Sequence, residues 1–302
     1  MACASSTPIV LYNRRTCSLE TEKVPGQKLL NFFYHDPMGR RLCQWIISQP
    51  IFSRIYGWPF HQTWSRRRIA AFVRQNRIDM TEVQVPSGGF QSFNDFFIRR
   101  LRPGVRTVVQ DPATLISPAD SRLKVLALQR ETVLQIKGAS LAVAQLLGVK
   151  TVPRIFDGGL CLQFRLAPCD YHRFGYIEDG LQGPIHCVGG RLYSVNPIAL
   201  RQIPAIWGKN YRHWCFIQTE RMGTLLQIEV GATVVGSIVQ HRPGGGPCNR
   251  GEEKGYFQMG GSTVLAILPP GRVEIDDDIL RHSRQGIETL VRYGEHIGRI
   301  NG

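Results

Sequence analysis

Apolar residues recur at helical spacing near the start of the chain. From residue 27 to residue 49 they fall three and four positions apart, which predicts helix. Pro37 interrupts this stretch and is expected to divide it into two helices, because a proline ring clashes with the preceding turn. A third helix is predicted over residues 65–76, with an apolar face surrounded by arginines. Such faces usually pack on a core, although the arginine and tryptophan content here also fits a membrane surface.

After Pro86 the pattern changes to short β-prone runs separated by Gly and Pro. It predicts an α+β fold in which amphipathic helices, in a helical region of residues 1–85, lie on a β-rich core of residues 86–302. That core is expected to be a mixed sheet or barrel-like. The predicted strands are residues 114–116, 123–128, 133–136, 160–166, 191–195, 215–219, 225–230, 233–239 and 263–268.

The chain is strongly basic, which implies an anionic partner. It has 37 Lys and Arg against 23 Asp and Glu, a formal net charge of +14. No zinc-finger spacing or RNA-binding motif supports nucleic acid, so no nucleic-acid partner is expected. The mixture of basic, aromatic and aliphatic residues near the start favours a membrane surface, and a basic surface without a partner is the plain alternative. No apolar stretch approaches the roughly 20 residues needed to cross a bilayer.

The cysteines and histidines indicate neither a disulfide framework nor a metal site. The eight cysteines form no Cys-x-x-Cys pair, which is typical of reduced thiols in the cytoplasm. The eight histidines lack ligand spacing with one another or with cysteine, so no metal is expected.

The strongest local signal is a glycine pair that leads into a serine. Residues 260–263 read Gly-Gly-Ser-Thr at the start of an apolar run, a pattern that is usually only a tight turn into a strand. Its meaning depends on other segments upstream. These are Ser-Pro-Ala-Asp at 117–120, Ala-Pro-Cys-Asp-Tyr-His-Arg-Phe at 167–174, Ser-Val-Asn-Pro at 194–197, and the run from Glu229 to Ser237.

In this order and at these separations, the segments resemble the phosphatidylserine decarboxylase family, pyruvoyl-dependent enzymes of phospholipid synthesis. The likeness continues through residues 92–99 and 294–298 and covers essentially the whole chain. It implies that the chain converts phosphatidylserine of an anionic membrane to phosphatidylethanolamine. It also implies a peripheral protein on the cytoplasmic face of the cell membrane, with residues 86–302 as the catalytic core.

The resemblance also implies that the chain cuts itself. Ser262 would attack the carbonyl of Gly261, and the resulting ester would eliminate to give chains 1–261 and 262–302, which stay partners, with a pyruvoyl group in place of Ser262. That covalent cofactor would form a Schiff base with the substrate amine. Asp120 would be the carboxylate that orients the base of self-cleavage. His172 would help to return a proton after carbon dioxide leaves, and a purely structural imidazole is the alternative for it.

Two positions depart from the family. The family has a second histidine, the base of self-cleavage, where this chain has Gly175, and it usually has glycine where this chain has Ser121. His172 and His186 are candidate substitutes for the missing base. Without one, cleavage is expected to be slow, and Gly175→His is expected to accelerate it with Asp120 needed for the gain.

Two other functions stay open at this point. Gly175 favours an unprocessed relative that keeps the fold and binds lipid without catalysis. The charge alone fits a basic nucleic-acid-binding protein, which the whole-chain resemblance opposes. The oligomeric state is open, and a homo-oligomer is compatible with the sequence.

Overall fold

The fold is built mainly from short antiparallel strands. The computed structural model describes residues 8–24, 26–136, 139–203, 205–233, 237–260 and 262–301. The strands are β1 Val10–Asn13, β2 Ser18–Thr21, β3 Val83–Gln84, β4 Arg100–Leu101, β5 Thr114–Ile116, β6 Ser121–Gln129, β7 Val133–Ile136, β8 Ala139–Ala142, β9 Leu160–Leu166, β10 Arg173–Gly175, β11 Gly180–Gln182, β12 His186–Val188, β13 Arg212–Thr219, β14 Gly223–Val230, β15 Ile238–Gln240, β16 Gly246–Cys248, β17 Glu253–Phe257, β18 Ser262–Leu268, β19 Val273–Ile275, β20 Glu288–Val291 and β21 His296–Ile300.

Helices are concentrated before residue 100 and recur singly afterwards. They are α1 Gln27–His35, α2 Pro37–Leu42, α3 Pro50–His61, α4 Ile69–Asn76, α5 Phe93–Phe97, α6 Val143–Leu147, α7 Pro197–Gln202 and α8 Asp277–Arg284. A π-helical turn, Cys43–Ile47, continues α2, and a 3₁₀ segment, Thr63–Arg68, precedes α4.

A large sheet forms the centre of the molecule. Within the described ranges it contains thirteen strands, and its main path runs β16-β11-β13-β14-β18-β9-β6-β20-β1-β2. The pairing of β1 with β20 is parallel and its other pairings are antiparallel, so the predicted mixed sheet is confirmed. The path does not close on itself in the described part of the chain, and therefore the barrel-like alternative is not what forms.

The two faces of the large sheet carry separate cores. Val264 of β18 packs in one cluster with Phe174 and Phe257, which belong to a small sheet of order β10-β17-β15. Leu265 points the other way, into a cluster that contains Trp214. We call these the Phe174 face and the Trp214 face. Because side chains alternate along a strand, a residue's position in β18 decides which core it meets.

The N-terminal helices follow the sequence prediction closely. Pro37 begins α2, and the side chain of Asp36 accepts hydrogen bonds from the backbone N–H groups of Met38 and Gly39, both at 2.9 Å. The prediction missed α3, and it missed β1 and β2, which precede the helices and join the large sheet. No described helix is both long enough and apolar enough to span a bilayer. The division into domains at residue 85 stays a prediction.

The predicted strand at residues 191–195 is wrong. Arg191 makes only an isolated bridge to Asn210. Beyond it, the Asn210 side chain takes the place of a neighbouring strand, since it accepts from the Tyr193 N–H at 3.0 Å and donates to the Tyr193 carbonyl at 2.8 Å. Residues 191–195 are therefore held by the hydrogen bonds of a side chain rather than by pairing with a neighbouring strand.

A buried ion pair joins the small sheet to the large one. Lys254 of β17 donates to Glu229 of β14 at 2.9 Å, and both side chains are completely buried. Gln240 completes the site by accepting from Lys254 at 2.9 Å and donating to Glu229 at 2.8 Å. Burial by itself lowers the pKa of Lys254, but the Glu229 charge, the hydrogen bond to Glu229 and the nearby Cys215 together outweigh it, and the net shift is upward. The lysine is therefore charged, and the pair fixes β17 over β14.

We predict that Lys254→Met, made in a Ser262→Ala background so that the chain stays whole, lowers the free energy of unfolding by roughly 3–5 kcal/mol, because Glu229 is left charged and unpaired. Adding Glu229→Gln should recover part of the loss. Arg242→Met is the matched control, since the Arg242–Glu252 pair is about one-third exposed, and it should cost less than about 1 kcal/mol. Urea unfolding measures all three, and a Lys254→Met loss no larger than that of the control would contradict the assignment.

Candidate active site

Ser262 opens the central strand of the large sheet. It pairs with Leu166 of β9, and its neighbour Thr263 pairs with Val230 of β14. The Ser262 side chain is fully buried, and within the described chain its Oγ has no hydrogen-bond partner. It lies on the Phe174 face by alternation with Val264. An unpaired buried hydroxyl is uncommon, and among the described residues Thr263 carries a second one on the opposite face of the same strand.

The turn before Ser262 is shaped by a glycine and by an asparagine from α5. Gly260 has a φ of 131°, a conformation that residues with a side chain rarely adopt. The backbone N–H of Met259 donates to Oδ1 of Asn94 at 3.0 Å, and Asn94 is buried. The chain passes from the small sheet to the large sheet within this turn. Gly261, the predicted cleavage position, lies outside the described residues.

His172 lies on the same side of the sheet and is neutral. Its Nδ1 donates to the Asp170 carbonyl at 3.0 Å, which leaves Nε2 with a free electron pair. Burial lowers the pKa of His172 to about 3; the Asp170 and Gly260 carbonyls oppose this shift. Nε2 itself is buried without a hydrogen bond of normal geometry to any described residue. The Phe97 ring covers the imidazole, with 4.0 Å between ring centroids.

Asp120 is held in place by an arginine and a backbone N–H group. Arg106 grips both carboxylate oxygens, with its Nη2 2.6 Å from Oδ2 and its Nε 2.9 Å from Oδ1. The backbone N–H of Tyr293 donates to Oδ1 at 2.8 Å. In the described part of the chain these two residues make all of its hydrogen bonds. The predicted contact between Asp120 and a histidine is therefore absent there, and β6, which follows Asp120, is separated from β18 by β9.

His186 does not lie near Ser262. It stands on β12, exposed, and its ring stacks on Trp214 with 4.2 Å between centroids. Trp214 defines the opposite face of the large sheet from the one that Ser262 faces. Of the two candidate substitutes for the missing base, the geometry leaves His172.

The segment that carries His172 is fixed by residues that sequence reasoning did not assign to the site. Arg99 donates through Nη2 to the carbonyls of Cys169 and Asp170, at 2.9 and 3.1 Å. Arg122 pairs with the Asp170 carboxylate, which also accepts from the Ala167 N–H at 2.6 Å. Asn94, Phe97 and Arg99 all come from the 92–99 segment. The mixture of aromatic and polar residues in this segment was a signal of a functional site in the sequence, but only the fold shows which groups each side chain contacts.

An apolar cavity of about 600 Å³ leads to this site from the helical layer. Side chains of α1, α3, α4 and α5 line one side of it, and Ala167, Met259 and Gly260 lie along its lining beside the site. Leu29 and Tyr56 line the cavity and are also exposed, so it opens on the surface of the helices. Within the described ranges, no group of three or more His, Cys, Asp or Glu side chains is arranged to hold a metal ion.

A buried serine and a neutral imidazole beside the same turn, with an apolar cavity that reaches this turn, fit an enzyme that handles a lipid-like molecule. Comparison with known proteins identifies the family. The phosphatidylserine decarboxylase family profile matches residues 93–299. The chain is 40% identical to a phosphatidylserine decarboxylase proenzyme of Clostridium kluyveri over 96% of this chain and 98% of that protein. Proteins of the same name from Clostridium tetani and Desulfitobacterium hafniense are 41% and 38% identical over the same shares of each chain. The chain belongs to the phosphatidylserine decarboxylase family, as the resemblance predicted.

We predict that folding stability depends on pH through His172. Its folded pKa, about 3, lies below the ordinary value of 6.5, so the unfolded chain binds the extra proton first. The free energy of unfolding should therefore fall as the pH drops from about 6.5 toward 3, with His172 contributing about 1.4 kcal/mol per pH unit. Urea unfolding of Ser262→Ala, with and without His172→Gln, isolates this contribution because all other groups are shared. Identical pH slopes in the two proteins would rule it out.

Proposed function

We propose that this chain cuts itself before Ser262 and then decarboxylates phosphatidylserine to phosphatidylethanolamine. The observation that carries the proposal is the apolar cavity, since it opens at the helical surface and reaches Met259 and Gly260 beside the buried serine. A double-chain lipid needs such a route to bring its headgroup to a buried site. Retention of both Ser262 and His172 disfavours an unprocessed relative.

The residues support a balanced self-cleavage reaction. Oγ of Ser262 bonds to the Gly261 carbonyl carbon as its proton moves to Nε2 of His172. The carbon–nitrogen bond then breaks, and Nε2 returns the proton to the departing nitrogen, which becomes the free amine of residue 262. The ester then loses the α-proton of residue 262 and expels the Gly261 carboxylate. Water displaces the nitrogen as ammonia and leaves a pyruvoyl group. The neutral imidazole suits the first step because its free electron pair has no other partner in the described ranges.

The surroundings of Ser262 fit a small covalent carbonyl cofactor. The Ser262 hydroxyl that would attack Gly261 lies in a dry place without a competing hydrogen bond in the described chain, and the Nε2 of His172 is unpartnered in the described structure as well. The pyruvoyl group would supply an electron-withdrawing carbonyl that stabilises charge as carbon dioxide leaves. No other cofactor is proposed.

During decarboxylation this chain's residues orient the lipid and move a proton. The helical layer excludes water from the cavity, which favours loss of charge from a carboxylate. A proton on His172 is readily released because burial lowers the pKa of this imidazole to about 3. The Asp170 carbonyl holds the ring by Nδ1 at 3.0 Å, and therefore Nε2 is the atom that delivers the proton.

The two products of cleavage would remain one folded body. The small fragment, 262–302, supplies β18 between β14 and β9, and β20 between β6 and β1. Its β21 pairs with β5. Because each of these strands is hydrogen-bonded to the large fragment, 1–261, cutting one peptide bond removes no strand pairing.

We also propose that α3 and the turn before it dock on the cytoplasmic face of an anionic membrane. Ile51, Ile55 and Trp58 recur on one side of α3 and are 68%, 70% and 63% exposed, and Trp45 is 67% exposed. We call these four the apolar helix face. From residue 27 to residue 77 the chain has nine Lys and Arg and a single acidic residue, Asp36. Apolar side chains ringed by positive charge match an anionic lipid surface.

We predict that intact-mass analysis of the purified natural chain finds fragments 1–261 and 262–302, the second blocked by pyruvate, and that Ser262→Ala yields the full-length chain alone. Thr263→Ala is the matched control. Its hydroxyl is also buried without a partner in the described structure, but it points to the opposite face, so the control should still be cut. The same two fragments from Ser262→Ala would end the proposal.

We predict that vesicle binding requires both anionic lipid and the apolar helix face. Each basic residue near an anionic surface contributes roughly 1 kcal/mol to the free energy of binding. Binding to vesicles of phosphatidylcholine with phosphatidylserine should therefore exceed binding to vesicles of phosphatidylcholine alone, and added salt should weaken it. The triple variant Ile51→Gln, Ile55→Gln, Trp58→Gln should float poorly in every condition. The pair Ile155→Gln, Leu181→Gln removes exposed apolar side chains elsewhere and serves as the control. Equal flotation with both lipids at low and high salt would count against docking by charge.

A further inference from the structure

Gly175 and Tyr293 occupy one shared space. A Cβ atom built on Gly175 would lie 2.0 Å from the hydroxyl oxygen of Tyr293 and 2.7 Å from its Cζ. The same atom would lie 2.7 Å from the backbone oxygen of Glu252. Contacts this close do not occur between real atoms, so the phenol fills the volume into which any side chain at position 175 would extend.

Tyr293 also joins three segments around the site. Its hydroxyl donates to the Gly251 carbonyl at 3.0 Å, and its backbone N–H donates to Asp120 at 2.8 Å. Gly175, against which the phenol packs, donates its N–H to the Pro118 carbonyl at 2.9 Å. The tyrosine is buried, and its ring meets Tyr171 edge-on, with 6.3 Å between centroids. Tyr293 therefore links β10 and the turn at Gly251 through its side chain, and the segment that ends in Asp120 through its backbone N–H.

We infer that Tyr293 is a positioning residue for self-cleavage. It replaces a side chain at position 175. It also holds Asp120 and β10 in the geometry that keeps His172 beside the Gly260 turn. This inference rests on the proposed self-cleavage at Ser262. Two short connections lead from β10 to the reacting groups. β10 begins at Arg173, immediately after His172. The His172 carbonyl accepts a hydrogen bond at 2.9 Å from the N–H of Phe257, which lies five residues before Ser262.

The phenol does not act as the base itself. Burial raises the pKa of Tyr293, so the hydroxyl keeps its proton and serves as a donor to Gly251. The free electron pair of Nε2 of His172 stays the acceptor for the Ser262 proton. Consequently, the sequence-based expectation for Gly175→His needs correction, since a histidine at position 175 collides with Tyr293 and alone should slow cleavage rather than accelerate it.

The first test follows precursor decay after a pulse of synthesis. Tyr293→Ala should slow cleavage by about 10- to 100-fold, the usual result of small misplacement of reacting groups. Tyr293→Phe keeps the ring and should slow cleavage by no more than about fivefold, the equivalent of one neutral hydrogen bond. Gly175→Ala should slow cleavage in the natural chain and should have a smaller effect when combined with Tyr293→Ala, because only the contact with the Glu252 backbone oxygen at 2.7 Å then remains.

The pH profile separates positioning from simple loss of packing. In Gly175→His combined with Tyr293→Ala, the new imidazole would face Asp120, Arg106, Tyr171, Glu252 and Glu253. Cleavage by this double variant should exceed that of Tyr293→Ala and should rise through about pH 6–7 as the imidazole loses its proton. The natural chain should show no such rise, because burial keeps the pKa of His172 at about 3.

A second measurement does not depend on cleavage. In a Ser262→Ala background, Gly175→Ala should lower the melting temperature more with Tyr293 present than together with Tyr293→Ala, which relieves the clash with the phenol and leaves the one with the Glu252 backbone oxygen. One outcome is that the effects of the two substitutions on the melting temperature are coupled while the natural chain is never cut. That result would support the contact between Gly175 and Tyr293, but it would overturn both the self-cleavage proposal and this role for Tyr293. Cleavage of the natural chain with an unchanged rate in Tyr293→Ala, or equal effects of Gly175→Ala in both backgrounds, would overturn the role for Tyr293 alone.

Discussion

The ion pair between Lys254 and Glu229 is the contact on which the rest of the structure depends. It lies in the space between two sheets, where neither charge meets water, and it is stable only because Gln240 and the partner charge satisfy both ends. The pair thereby fixes β17 over β14. Lys254 lies three positions before Phe257, the last residue of β17. Since β18 pairs with β14, the turn between β17 and β18 has both of its ends anchored to one strand. Gly260 can then hold its unusual φ of 131° because its neighbours cannot relax.

The same arrangement explains why a lipid can reach a buried serine. The helices close the end of the large sheet at which β9 finishes and β18 starts, and the cavity between them is apolar. Arg68 lies over the rings of Phe60 and Trp64, with 5.3 and 5.8 Å to the ring centroids, which keeps a positive charge beside the helical surface. An acyl chain would enter among aromatic side chains, while a phosphate would remain near arginine.

Sequence reasoning succeeded where a residue's role is local. Helical periodicity and Pro37 predicted α1 and α2, and the glycine pair before Ser262 predicted a turn into a strand. It failed where the role comes from a distant segment. Asn210 replaces a strand for Tyr193, Asn94 holds Met259, and Tyr293 fills the space beside Gly175, all across separations that no periodic pattern encodes. The missing histidine was visible in the sequence, whereas the tyrosine that takes its space was not.

The central position of β18 has a consequence for the lifetime of the protein. A strand hydrogen-bonded on both sides can be inserted easily while it belongs to the same chain, because its local concentration is set by a short turn. Once the chain is cut before residue 262, an unfolded molecule becomes two molecules, and refolding requires their encounter at whatever dilution prevails. The mature protein would then persist because it unfolds slowly and not because it can refold. Its lifetime in the cell would be limited by the rate of unfolding rather than by the equilibrium between the folded and unfolded states.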